Sequence, residues 1–262
     1  MRKNSKVSQS TGIGKARPVI GDGKLLDIGN LPDGSILTQK GNSCGTCSLS
    51  AVLRHFGIVR SQSEIDREIR NFNIFTAPDL IVRYANSVGL EASYKNDGTL
   101  EELENLIEQG IPAILLTDPK PESPINFLYL HYVTAISIRK TDNQTYIGIY
   151  NPWGLREEIT KNELENGWAK VRIGPFLCWN RAFIAIAPKG SNLGENRYSG
   201  SRGINMIGLS IACLVNGIAK IFRGELNNGA RDLAEGLYSL PLGILISFKE
   251  MILAGKQKSR NT

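Results

Sequence analysis

The sequence predicts an α+β chain in which helices come first, antiparallel strands follow, and an apolar helical tail closes the chain. Three observations predict it. Between residues 44 and 110, apolar positions recur at helical spacing between helix start and stop signals. Between 131 and 187, the apolar runs have strand length and are separated by polar turns. Beyond 189, a Gly-, Ser- and Asn-rich stretch precedes two long apolar segments. Helices followed by antiparallel strands build two lobes, and a cleft between lobes is where small sites tend to form.

Residues 1–35 are rich in Gly, Ser, Lys and Asp without apolar periodicity and are read as a flexible N-terminal arm, so the body is expected at 36–188. Leu49, Val52, Leu53 and Phe56 fall on one helical face after Cys44, and Gly57 is the stop. Ser61-Gln-Ser-Glu64 is a capping box that opens a second helix. A third runs from Pro78 to Val88 with proline in its first turn. A strand at Leu90–Tyr94, a helix from Thr99 to Gln109 and a β-branched run at Ile111–Thr117 follow. Residues 131–138, 145–152 and 176–187 read as strands, and Thr160-Lys-Asn-Glu163 caps a short helix reaching Trp168. Residues 189–202 read as a linker and 203–262 as an apolar helical region, with segments 203–222 and 236–248 forming a hairpin. That hairpin folds against the body or a dimer partner, or else associates with a membrane, interfacially or inserted, with peripheral or partner contact expected through 203–254.

Composition narrows the function classes. The chain has 262 residues, 41% of them hydrophobic, which is enough for a core and excludes general disorder. Its four cysteines are too sparse for a disulfide framework. Cys44 and Cys47 form a CxxC without the second pair a structural zinc site needs, so no metal or cofactor is expected. The formal charge of +6 divides into +4 for residues 1–30, −3 for 31–188 and +5 for 189–262. Basic ends around a mildly acidic body read first as solvated tails and otherwise as attraction to an anionic membrane; no nucleic-acid partner is expected. The charged start has no apolar run behind it, so no cleavable signal is expected. The location that follows is cytoplasmic or membrane-associated, with signal-independent export left open.

With two histidines, any His-dependent chemistry has two candidates. His55 follows Cys44 by eleven residues on one helix, about three turns away, and is out of reach. His131, opening a strand, is left as the base for Cys44. The thiol of Cys44 sits at a helix N-terminus, where the free amides and the dipole favour a thiolate, and Gly45 behind it leaves room for a substrate carbonyl. Cys47 is expected to point into the core. Asn151 ends the next strand, so in an antiparallel hairpin it neighbours His131 and can orient the imidazole, with Trp153 shielding the bond. Gln39, five residues before Cys44, can donate to an oxyanion together with the Cys44 amide.

Gln39, Cys44-Gly45, Phe56-Gly57, His131-Tyr132-Val133 and Asn151-Pro152 occur in an order that resembles the papain-like cysteine peptidases of the bacteriocin-processing type, the double-glycine leader peptidases. Residues 85–116 resemble that family's middle section, and the likeness covers 36–188. It implies a papain-like fold, with the Cys helix packed on an antiparallel sheet lobe. It also implies a thiolate–imidazolium pair of Cys44 and His131, oriented by Asn151, with Gln39 in the oxyanion hole. The third member is Asn where the leader peptidases usually have Asp, and no transporter domains follow, as in a stand-alone form.

Three functions fit these residues. The first is a thiol peptidase acting on a peptide or isopeptide bond of a polypeptide substrate. A deamidase or transglutaminase acting on a protein glutamine would use the same groups. An inactive binding module is the third, and the intact Cys, His and Asn argue against it.

Overall fold

The computed structural model describes residues 25–69, 76–119, 130–169, 171–173, 177–196 and 202–258. Helices α1 (Cys44–His55), α2 (Gln62–Ile69) and α3 (Pro78–Ser87) come first. Strands β1 (Leu90–Lys95), β2 (Ala113–Thr117), β3 (His131–Thr141), β4 (Gln144–Asn151), β5 (Leu155–Thr160) and β8 (Phe183–Pro188) form one antiparallel sheet in the order β1-β8-β2-β3-β4-β5. Between them lie α4 (Leu100–Glu108), α5 (Lys161–Trp168) and a small hairpin of β6 (Val171–Ile173) and β7 (Leu177–Trp179). This is the expected α+β arrangement.

Local chemistry explains the elements. Ser61 and Glu64 bond reciprocally at the start of α2, and Thr160 with Glu163 does the same for α5. The sequence reading missed a third box at α4, where Thr99 and Glu102 exchange bonds of 2.9 and 3.0 Å. α1 is more than amphipathic. All ten residues from Cys44 to Leu53 are buried, because β3 covers one side while α2 and α3 cover others.

Four expectations change. The arm does not extend to residue 35: Leu26 and Ile28 are buried, Leu26 N–H donates to Ile136 O at 2.9 Å, and Leu37 N–H donates to Gly29 O. Residues 1–24 lie outside the described residues. Nor is 189–196 a loose linker. Glu91 of the edge strand β1 accepts from the Gly190 and Leu193 amides, and Asn196 accepts from Tyr94 N–H at 2.7 Å, so β1's open edge is covered.

The run 176–187 breaks at Asn180–Ala182 into β7 and β8. Asn180 O and Arg181 O turn aside to accept from Asp97 and Gly98, and Arg181 Nε donates to Glu165. β5 was not foreseen, because Leu155–Thr160 carries three charged residues. Glu158 is nonetheless buried, since Arg139 meets its carboxylate at 2.7 and 3.2 Å.

The tail forms a hairpin of α6 (Arg202–Phe222) and α7 (Leu226–Lys258). α7 is much longer than the segment 236–248. It absorbs the charged interval before it, where Asp232 pairs with Lys220 of α6 at 2.7 Å, and it runs through Pro241. Among the described residues, no helix is long and apolar enough to cross a membrane.

Candidate active site

The loop before Cys44 is clamped from two sides. From α2, Gln62 accepts from Lys40 N–H at 3.2 Å and returns its own amide to Lys40 O at 3.3 Å. One turn on, Asp66 accepts from Ser43 Oγ at 3.0 Å and Thr46 Oγ1 at 2.6 Å. From the opposite side, Gln39 N–H donates to Pro152 O at 2.7 Å, just after β4. Because Asp66 takes its hydroxyl, the N-cap Ser43 makes no side-chain cap. The first amides of α1, at the helix's positive end, are therefore not capped by the Ser43 side chain.

Gly45 settles how closely α1 meets β3. A Cβ there would stand 3.0 Å from two ring carbons of Tyr132 and 3.1 Å from Thr76 Cβ. The residue expected to make room for substrate instead makes room for Tyr132, whose hydroxyl donates to Thr76 O at 2.8 Å. Cys44 and His131 each sit one residue from this contact. Burial pushes the Tyr132 hydroxyl well above its ordinary pKa, and charge on Cys44 adds to the rise, as nearness requires.

His131 heads β3 and is buried. Its Nε2 lies 2.9 Å from Asn151 Oδ1, which also accepts from Trp153 N–H at 3.1 Å. The hairpin of β3 and β4 creates this meeting across twenty residues of sequence. Trp153 stacks on the imidazole, with ring centroids 4.3 Å apart and planes at 22°.

Asn151's amide nitrogen donates to Glu157 Oε1 at 3.1 Å, a residue the sequence reading passed over. Its only signal was a Glu at an inward position of a short strand. A carboxyl oxygen facing Asn151 demands the NH2 group, so the amide oxygen must face His131. The imidazole proton then sits on Nε2, and Nδ1 keeps its lone pair. Burial pushes the Glu157 carboxyl up, against the lowering effect of the Asn151 bond. Among the described residues, its buried Oε2 meets no hydrogen-bond partner.

Burial pulls His131 from 6.5 down to about 4, against the opposing bond to Asn151. Exclusion from water favours the uncharged form of the ring.

Gln39 is half-buried, and its Nε2 donates to Gly41 O at 2.6 Å, so one amide hydrogen is engaged in the loop and the other remains. Cys47 faces inward, its sulfur 3.3 Å from Tyr150 Oη. Burial pushes its thiol up to about 11, the Tyr150 bond acting oppositely. His55 lies at the far end of α1, edge-on to Phe56. Among the described residues, no three His, Cys, Asp or Glu side chains gather as metal ligands would.

The chain is similar in structure to a double glycine motif protease from an AMS/PCAT transporter in complex with the leader peptide, with 17% identity and a TM-score of 0.44 over 64% of this chain and 98% of that one. It is similar to the peptidase domain of Streptococcus ComA, a bi-functional ABC transporter involved in a quorum sensing pathway, with 18% identity, a TM-score of 0.43, and 59% and 98% covered. A protein described as a C39-like peptidase from Bacillus anthracis gives 15% identity, a TM-score of 0.46, and 64% and 99% covered. No curated protein sequence matches the chain. The family model that describes the Peptidase_C39 like family matches residues 32–173, over half of the chain, and its span holds Gln39, Cys44, His131, Asn151 and Glu157. On that match the chain belongs to the Peptidase_C39-like family.

Proposed function

We propose that the chain is a cysteine peptidase that hydrolyses a peptide bond of a polypeptide through Cys44, His131 and Asn151. The observation that carries this reading is the 2.9 Å bond from the His131 ring to Asn151, which leaves Nδ1 as the accepting nitrogen. The Gly45–Tyr132 contact supports it by bringing the start of α1 to the start of β3.

In this reading Nδ1 takes the thiol proton of Cys44 as the sulfur attacks the scissile carbonyl carbon. The C–S bond forms while the carbonyl π pair moves to oxygen. The Cys44 amide and the remaining hydrogen of the Gln39 amide receive that oxyanion. A deeply buried imidazolium holds its proton weakly, so Nδ1 passes it readily to the leaving nitrogen as the C–N bond breaks. Water then attacks the thioester, giving its proton to Nδ1. The C–S bond breaks, and the proton returns to the sulfur. Asn151, held by Glu157 and the Trp153 amide, keeps the Nε2 proton in place throughout.

The test is incubation of the full chain with a proteome-derived peptide mixture, with new N-termini read by mass spectrometry. Wild type generates new termini and Cys44→Ala does not. Equal profiles from both would overturn the proposal, and a gain of about one dalton without cleavage would point to deamidation instead.

A further inference from the structure

The α6–α7 hairpin packs through small residues, with Leu214, Ile221 and Leu233 standing against the glycines of the seam. Every described residue buried in it is small or polar, from Ser210, Cys213 and Gly217 on α6 to Asp232 and the glycines of α7. The two backbones nearly touch. A Cβ on Gly217 would lie 2.8 Å from Gly229 O, and one on Gly236 would lie 2.8 Å from Ser210 O. The pair of Lys220 and Asp232 also lies in this seam, with Asp232 fully buried.

A second set of large apolar side chains faces outward. Ile211, Val215, Ile218 and Phe222 recur at spacings of four, three and four, which is one stripe along α6. Leu237, Tyr238, Ile244 and Leu245 share one exposed face of α7. Phe222 is 87% exposed and Tyr238 81%. Nine of the twelve large hydrophobic side chains exposed among the described residues lie on this hairpin, so they form a patch and not the usual scatter.

A helix pair surrounded by water buries its large side chains and exposes its small and charged ones. Close approach through glycine and serine, with the Lys220–Asp232 pair in the seam and a broad second set of Ile, Val, Leu and Phe outward, suits helices whose surroundings are as apolar as the side chains. Charge selects which apolar surroundings. Residues 203–219 and 236–248 carry no charge, and Arg202, Arg223 and Lys249 lie beyond their ends. Residues 189–262 total +5, which repels a second copy and attracts an anionic surface.

We propose that this hairpin is a membrane-surface anchor, with its outward apolar face lying in the headgroup–acyl boundary of an anionic bilayer. It lies along the surface, since no described helix is long and apolar enough to cross. The proposal holds whatever bond the body cleaves, and its effect is to confine the body to the plane of the membrane.

The test is flotation of the full chain with vesicles of phosphatidylglycerol and phosphatidylcholine, and with phosphatidylcholine alone. Wild type floats with the anionic vesicles and more weakly with the neutral ones. Ile218→Ser with Leu237→Ser lowers the floated fraction by about tenfold, because each change removes apolar area from the boundary. Circular dichroism checks that helix content is kept, and Phe222→Ser, at the most exposed position, is the second variant. No flotation by wild type, or flotation undiminished in both variants, overturns the proposal. So does a wild-type dimer in sedimentation velocity that the double variant dissolves while neither protein floats, since the occupant is then a second copy.

Discussion

Glu157 holds Asn151 from behind, accepting its side-chain amide at 3.1 Å, with both residues out of solvent. Without that acceptor the Asn151 amide can rotate and offer its nitrogen to His131. Glu157→Ala is therefore expected to lower kcat by about tenfold to a hundredfold with KM little changed, while Glu157→Gln, which can still present an oxygen, retains most activity. The melting temperature separates orientation from folding. Removing a buried carboxyl with one unpartnered oxygen should leave it level or raised. A fall in melting temperature that matches the loss of rate would mean a structural role only.

His131 makes stability depend on pH. Its folded pKa of about 4 lies below the ordinary 6.5, so between those values the unfolded chain binds more protons than the folded one. Stability is undiminished above the ordinary value and is lost as pH falls through this window, by about 3 kcal/mol in all. Urea midpoints at about pH 7 and about pH 4.5 should differ less for His131→Gln than for wild type. Equal differences would show that the ring is not held neutral.

The two cysteines of α1 should differ in reactivity. A thiol at about 11 is thiolate to about one part in ten thousand at pH 7, and Cys47 is also fully buried. Iodoacetamide on the native chain is expected to modify Cys44 well before Cys47, as read by peptide mapping. Labelling of Cys47 first would remove Cys44 as the nucleophile.

Gly45→Ala should destabilise the fold by about 1–3 kcal/mol, since its methyl would press on the Tyr132 ring and Thr76. Tyr132→Leu in the same chain relieves part of the clash. The double variant is then expected to be more stable than the sum of the single effects predicts. Strict additivity in chemical denaturation would mean that the close approach is not where the strain falls.

Much of the site was legible in order along the chain. Cys44 ahead of an apolar helix, His131 opening a strand and Asn151 closing the next are local signals, and an antiparallel hairpin alone makes the last two neighbours. Capping boxes at Ser61 and Thr160 were equally legible, because they are completed within four residues. Asp66, Glu157 and the Gly45–Tyr132 contact were not. Each works through a partner distant in sequence or on a neighbouring strand, and a lone Asp, Glu or Gly carries no sign of its partner.

Sequence by itself marked most of the helices and strands and the residues proposed to carry the chemistry, because periodicity, caps and residue type act over a few residues. Only the tertiary structure decided that 25–35 and 189–196 close onto the sheet, that β5 buries two glutamates, and that the His131 ring is shut away from water. Those outcomes depend on exclusion of water and on long-range partners. The hairpin divides in the same way: its apolar segments were visible in the chain, but only packing showed that one set of their large side chains faces outward.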